Sequence, residues 1–316
     1  MHFKFQKIFF LILFSAGVTP LFAGDLKAKN VVILVVDGPR YSETWGEARK
    51  KYIPHLARDL APQGVVYTNF RNEGPTYTNA GHCALTTGFY QEIENSKGDQ
   101  LPQQPGLFQR FLKLTGLPAG SAWVVTSKDK LQILADCEKW GWKGRYKPST
   151  HCGNGGGGLG SGYREDGETL TVVRNVLKES HPRLLLINLK EPDTRGHKND
   201  WKGYLQAIRE TDKAAWELWK WIQSDPFYRD QTAYFVTNDH GRHLDGHLDG
   251  FISHGDACEG CRHILLLAAG PDFKRRAVMS EKREQIDLAV TAARILGFSI
   301  PGSRGQNMTE LFVSQK

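Results

Sequence analysis

Past its first two dozen residues this sequence has no apolar run approaching the ~20 residues that span a bilayer, so no stable membrane insertion is expected of the body of the chain. Basic residues outnumber acidic ones, 41 to 34, yet they are scattered, with only short groupings such as Lys274-Arg275-Arg276. Without basic and aromatic residues interleaved along one segment no nucleic-acid groove is expected, and the net charge of +7 reads as a solvated surface able to steer small anions. The glycine tract HCGNGGGGLGSG, His151 to Gly162, lacks the Lys-Ser/Thr that completes a phosphate-binding P-loop. It is read as a surface loop, at most a rim over a pocket. Cysteine is scarce and odd in number, five in all, so at least one thiol is free.

What is present begins with Lys4 and Lys7, then the apolar stretch Ile8 to Phe14, small residues, and Leu21-Phe22-Ala23 before the polar Gly24-Asp25. That is the layout of a cleaved export signal over residues 1–23, leaving 24–316 as one catalytic domain in the periplasm or secreted. In an oxidising compartment the lone CxxC of Cys258 and Cys261 is read first as a loop-tying disulfide, with a zinc half-site or redox pair as the other readings. Cys137 and Cys152 are expected to bridge the middle of the chain, leaving Cys83 free.

Apolar runs rich in Val, Ile and Leu predict buried strands at Val31–Val36, Val65–Phe70, Ala122–Thr126, Leu184–Leu189, Ala233–Thr237 and Ile264–Ala268. Helical stretches alternate with them, as in a doubly wound α/β sheet. The plainest helix runs from about Trp201 to Gln223, with Leu205, Ile208, Ala215, Leu218 and Ile222 as its apolar stripe and Asp225-Pro226 as its stop.

Four polar clusters come after apolar runs: Asp37 after VVILVV, Asp193 and His197 after LLLINL, Asp239 and His240 after AYFVTN, and His254 in ISHG. Open α/β sheets bind ligands at the carboxyl ends of their strands, so these residues are expected to converge. Three aspartates and three histidines suit two zinc ions. The segment GPTYTNAGHCALTTG, Gly74 to Gly88, adds hydroxyls at a loop-to-helix junction, where Thr78 sits either as an ordinary N-cap or where the helix dipole favours an alkoxide or phosphate.

VVILVVDG, PTYTNAGHCALTTGFY, KEPDTRGHKND, VTNDHG, ISHGD and the tail IDLAVTAARILGFSIPGSRGQNMTELF, in this order from Val31 to Phe312, resemble the alkaline phosphatase superfamily. The likeness is greatest to its nucleotide pyrophosphatase/phosphodiesterase and sulfatase-like branch. The resemblance implies a three-layer α/β/α sandwich around a mostly parallel central sheet. It implies Thr78 as nucleophile on one metal with Asp37, Asp239 and His240, and Asp193, His197 and His254 on a second metal. Asn95 resembles the asparagine that helps hold the transferred group. The activity implied is hydrolysis of a small phosphate ester, as a phosphodiesterase or phosphatase, through a covalent phospho-threonine. A sulfatase-like hydrolase or a non-catalytic metal-binding protein are the alternatives.

The sequence departs from that branch in places. Asn79-Ala80-Gly81-His82 stands where Phe-Pro-Asn-His is usual, with Thr76 as a second hydroxyl, and no Cys-x-Pro-x-Arg sulfatase sequence occurs. The doubled HLDG of His243, Asp245, His247 and Asp249 is read as a polar turn or substrate contact ahead of a third metal site. Lys128, Lys190, Arg195 and Lys198 are the cations available to a phosphate, each read by default as a surface salt-bridge residue.

Overall fold

Val31, Ile33 and Val35 pack into one apolar cluster and Val32 and Leu34 into another, all fully buried, so the first strand must be covered on both faces. Burying each such side chain contributes about 1.5–3 kcal/mol, which is why it forms the middle of the sheet. The computed structural model describes residues 26–314, so the expected export signal lies outside the described residues.

Among the described residues nine strands form one sheet: β1 (Asn30–Val36), β2 (Gly64–Arg71), β3 (Ala122–Thr126), β4 (Ser149–Cys152), β5 (Leu184–Leu189), β6 (Thr232–Asn238), β7 (His263–Ala269), β8 (Ala277–Met279) and β9 (Arg283–Glu284). Their order is β4-β3-β5-β1-β6-β7-β2-β8, with β9 also on β2. Every pairing is parallel except those of β7, which runs against both β6 and β2. One reversed strand in a parallel sheet is the mostly parallel architecture the motifs imply.

Seven helices of the described residues cover it: α1 (Thr78–Thr87), α2 (Leu107–Thr115), α3 (Asp166–Ser180), α4 (Glu191–His197), α5 (Trp201–Ser224), α6 (Glu259–Arg262) and α7 (Gln285–Ile295). Residues of α1, α2 and α7 share the cluster of Val31, while α3 and α5 share that of Val32, giving three layers. Helix α5 starts where Asp200 accepts the Gly203 N–H at 2.9 Å and ends at Ser224, one residue past the expected Gln223, with the expected stop at Asp225-Pro226 directly after it. Among the described residues no helix is long and apolar enough to cross a membrane.

Two expectations need correction. All five cysteines are free thiols, so neither the Cys258–Cys261 nor the Cys137–Cys152 bridge is present. Cys152 lies in β4, fully buried beside the Val124 carbonyl, rather than across a loop from Cys137. The glycine tract is also more built than a plain loop: it begins in β4, and Asp129 accepts the N–H groups of Gly160 and Gly162 at 3.0 and 2.9 Å.

Candidate metal centre and nucleophile

The sheet delivers its polar residues to one rim. Asp37 comes directly after β1, α4 with Asp193 and His197 after β5, Asp239 and His240 after β6, and Thr78 opens the helix after β2. The reversal of β7 explains His254: a segment entering a reversed strand starts from the rim where its parallel neighbours end. In α4 the four-residue spacing puts Asp193 and His197 on one helical face.

There the ligand atoms form a nearly regular triangle. His197 Nε2 lies 3.2 Å from His254 Nε2, and each lies 3.3 Å from Asp193 Oδ1. Ligands on a tetrahedral zinc with arms of about 2.0–2.1 Å stand about 3.3 Å apart. His254 Nδ1 donates to the Thr76 carbonyl at 2.8 Å, which leaves Nε2 as the lone-pair atom facing the triangle. Burial and the neighbouring His240 push the His254 imidazole down to about 4, the neutral form a metal requires.

The second group is fully buried. His240 Nε2 stands 3.5 Å from Asp37 Oδ1 and 3.4 Å from Asp239 Oδ2, and none of these three atoms has a hydrogen-bond partner. Such orphans cost about 1–3 kcal/mol each, more when charged, unless something between them is bound. His240 Nδ1 donates to the Gly241 carbonyl at 2.9 Å, again turning Nε2 inward. The donor chemistry and spacing of both groups therefore fit divalent metals.

Lys128 joins them. Its Nζ lies 2.9 Å from Asp37 Oδ2, 2.7 Å from Asp193 Oδ2 and 3.0 Å from Thr78 Oγ1, and the side chain is buried. Burial favours the neutral amine, but the carboxylates of Asp193, Asp37 and Asp239 outweigh it and keep the ammonium. Burial likewise pushes the Asp37 carboxyl up, and Lys128 outweighs it, holding Asp37 well below the usual carboxylate range. The sequence-based default of a surface salt bridge is wrong for Lys128. Lys190 is buried too, paired with Glu191 and Glu165, whereas Arg195 meets Glu191 and Asp200 near the surface and Lys198 is exposed.

Thr78 is the first helical residue of α1, with Tyr77 as the N-cap, so it is not the capping residue. Thr76 turns its hydroxyl away, to the Asp256 carbonyl at 2.7 Å. Asn95 sits beside the start of α1: its Oδ1 accepts the Asn79 N–H at 3.0 Å and lies 3.2 Å from Lys130 Nζ. Three further residues were not anticipated. Arg242, fully buried, donates to Asp193 Oδ1; Asn188 donates to Asp37 Oδ2 at 3.1 Å; His82 Nδ1 lies 2.9 Å from the Thr78 carbonyl and 3.2 Å from Asp239 Oδ2. Gly81 is what lets α1 approach this closely, because a Cβ there would fall 2.5 Å from the Asp239 carbonyl oxygen.

Residues 163–263 match the model of the metalloenzyme superfamily, which implies divalent-metal binding. The match takes in Asp193, His197, Asp239, His240 and His254, while Asp37 and Thr78 lie before it. A phosphopentomutase from Pseudothermotoga lettingae is 30% identical over 90 residues, 27% of this chain and 22% of that protein. The chain thus spans about a fifth of the length of the curated relative it matches.

Among solved structures, murine ectonucleotide pyrophosphatase/phosphodiesterase 5 superposes with a TM-score of 0.64 at 14% identity, over 90% of this chain and 100% of that one. That protein is also known as an inactive threonine-to-alanine variant in complex with AMP. A protein in the alkaline phosphatase superfamily from Vibrio parahaemolyticus gives 0.63 at 16% identity, over 90% of this chain and 71% of that one. The fold is that of the alkaline phosphatase superfamily, as the motifs imply.

Proposed function

We propose that this chain is an exported metal-dependent hydrolase of small phosphate esters, a phosphodiesterase or phosphatase, with Thr78 as its nucleophile. The observation that carries the reading is the placement of Thr78 Oγ1 beside Lys128 Nζ, a cation that also touches a carboxylate from each ligand group. Asp37, Asp239 and His240 would hold one metal, and Asp193, His197 and His254 the other. Zinc suits these donors best. Bound there, two divalent metals would lower the pKa of the attacking hydroxyl and neutralise the departing oxygen.

The residues then have defined tasks. Thr78 Oγ forms a bond to phosphorus while the ester oxygen leaves; water next breaks that bond, restoring the hydroxyl and releasing the phosphoryl product. Lys128 donates to Thr78 Oγ1, so it stabilises the alkoxide and cannot act as its base. Asn95 and Lys130 stand at the start of α1, where the transferred group would meet the helix amino end. Inactivity of the threonine-to-alanine variant of the murine fold relative supports a threonine in this role.

The test is turnover of an aryl phosphate monoester, an aryl phosphate diester and an aryl sulfate by the zinc-loaded protein, beside Thr78→Ala. Loss on the order of a hundredfold or more on one phosphate ester is expected. Full activity of Thr78→Ala would rule it out as nucleophile, preference for the sulfate would favour the sulfatase-like alternative, and no turnover by metal-loaded protein would favour a binding role.

A further inference from the structure

The segment between β6 and β7 holds a second collection of ligand-type residues, used by nothing above. One atom each from His243, Asp256, Cys258 and Cys261 lies within 4.8 Å of the other three. We propose that these four residues form a third metal site, a structural zinc site of two thiolates, one imidazole and one carboxylate, separate from the centre beside Thr78.

His243 is the strongest sign. It is 2% exposed, and its Nδ1 lies 3.0 Å from Asp249 Oδ1, which keeps the ring hydrogen on Nδ1. Nε2 is then a lone-pair atom. It is buried, has no hydrogen-bond partner, and stands 3.4 Å from Asp256 Oδ1, close to the separation of about 3.3 Å for N and O ligands on tetrahedral zinc. A carboxylate behind a ligating histidine is the usual way its orientation is fixed, and Asp249, tied to Ser253 Oγ at 2.6 Å, occupies that place.

The other three ligands are held in the same fashion. Asp256 accepts the Cys258 N–H on Oδ1 at 3.0 Å, and its Oδ2 lies 2.6 Å from His247 Nε2. Cys258 precedes the single turn of α6 and Cys261 lies within it, fully buried, so the CxxC spacing brings both sulfurs to one side. Two thiolates with an imidazole exclude calcium and magnesium, which take oxygen ligands, and favour zinc. Binding displaces one proton from each thiol and needs no oxidant. A Cys258–Cys261 disulfide, the rival use of these sulfurs, would leave the buried His243 Nε2 without a partner.

Such a site would cross-link a segment that begins just after His240 and contains Arg242 and His254. It does not depend on the hydrolytic reading, and its test is independent of turnover. The full chain, purified with reductant and without chelator, is assayed for zinc per chain by elemental mass spectrometry, beside Cys258→Ser/Cys261→Ser. The double variant is expected to lose one equivalent relative to the unaltered chain, whatever the total. Cobalt(II) in place of zinc is expected to give thiolate-to-cobalt charge-transfer absorption in the near ultraviolet. That band is expected to persist in Asp37→Asn and vanish in the double variant.

Should the double variant fail to fold, the unaltered chain still decides: bound zinc is expected to protect both thiols from alkylation, and chelation to expose them. Unchanged metal content in a folded double variant would overturn the proposal. So would absence of the thiolate band, or thiols that alkylate equally with and without zinc.

Discussion

Lys128 Nζ donates to Thr78 Oγ1 across 3.0 Å while resting between the carboxylates of Asp37 and Asp193. That buried ammonium bridges the two carboxylates, with Arg242 as a second cation on Asp193, and it also polarises the hydroxyl of the proposed nucleophile.

Lys128→Met should accordingly harm the metal-free protein more than the loaded one. Removing one partner from a buried ion cluster costs about 3–5 kcal/mol, and bound metal cations would offset much of that loss. Thermal unfolding with chelator and with zinc measures the difference. An equal loss of stability in both states would refute the shared-counterion account, and a fall in turnover of about a hundredfold is expected in the loaded variant.

Gly81→Ala tests the close approach of α1. The added methyl meets the Asp239 carbonyl oxygen, which Asn72 and Gln285 hold in place at 2.9 and 2.5 Å, so the helix must move instead. A displacement of this kind costs about a hundredfold in turnover, with stability lowered by roughly 1–3 kcal/mol. Unchanged kcat would show that Thr78 is not placed by this contact.

Asn188→Leu removes the hydrogen bond to Asp37 Oδ2 without opening a large cavity. Loss of such an outer partner typically weakens metal binding by about 10–100-fold. Chelator competition reads this directly, and unchanged affinity would mean that Asp37 is held by Lys128 alone.

Asp212, buried in α5, accepts the N–H groups of Leu56 and His55 at 2.7 and 3.0 Å, and burial raises its carboxyl to about 6. The unfolded chain ionises this group near the ordinary value of about 3.9. Its contribution to stability is therefore present at low pH and lost as pH rises from about 4 to about 6, by at most about 3 kcal/mol. Urea midpoints across that range should show a smaller decline in Asp212→Asn; an identical decline would assign the pH dependence to other groups.

Six of the nine strands described are legible in the sequence because each is a run dominated by Val, Ile, Leu, Ala or aromatic residues long enough to cross the sheet. Strand β4 is not: its sequence Ser-Thr-His-Cys has no apolar run and pairs only at the edge, on β3. Asp37 and Asp239 stand out because each is the first polar residue past an apolar strand or its last Asn. Lys128 occupies a similar place, two residues past β3, but a lysine there resembles any surface cation until the sheet shows which carboxylates face it. Arg242, Asn188 and His82 act through contacts more than forty residues distant, which spacing alone does not encode. Sequence spacing divides the cluster of His243, Asp256 and the CxxC between a polar turn and a disulfide, because only the folded loop brings the histidine to the sulfurs.

The reversal of β7 also determines where a change to this scaffold is felt. The chain leaves β6 and returns into β7 at the same rim, so residues 239–262 form one excursion with both ends anchored in adjacent strands. The middle of that excursion carries Arg242, His254 and the four residues of the proposed zinc site, so a change there reaches both that site and the ligand group of Asp193 even though its two ends stay fixed in β6 and β7.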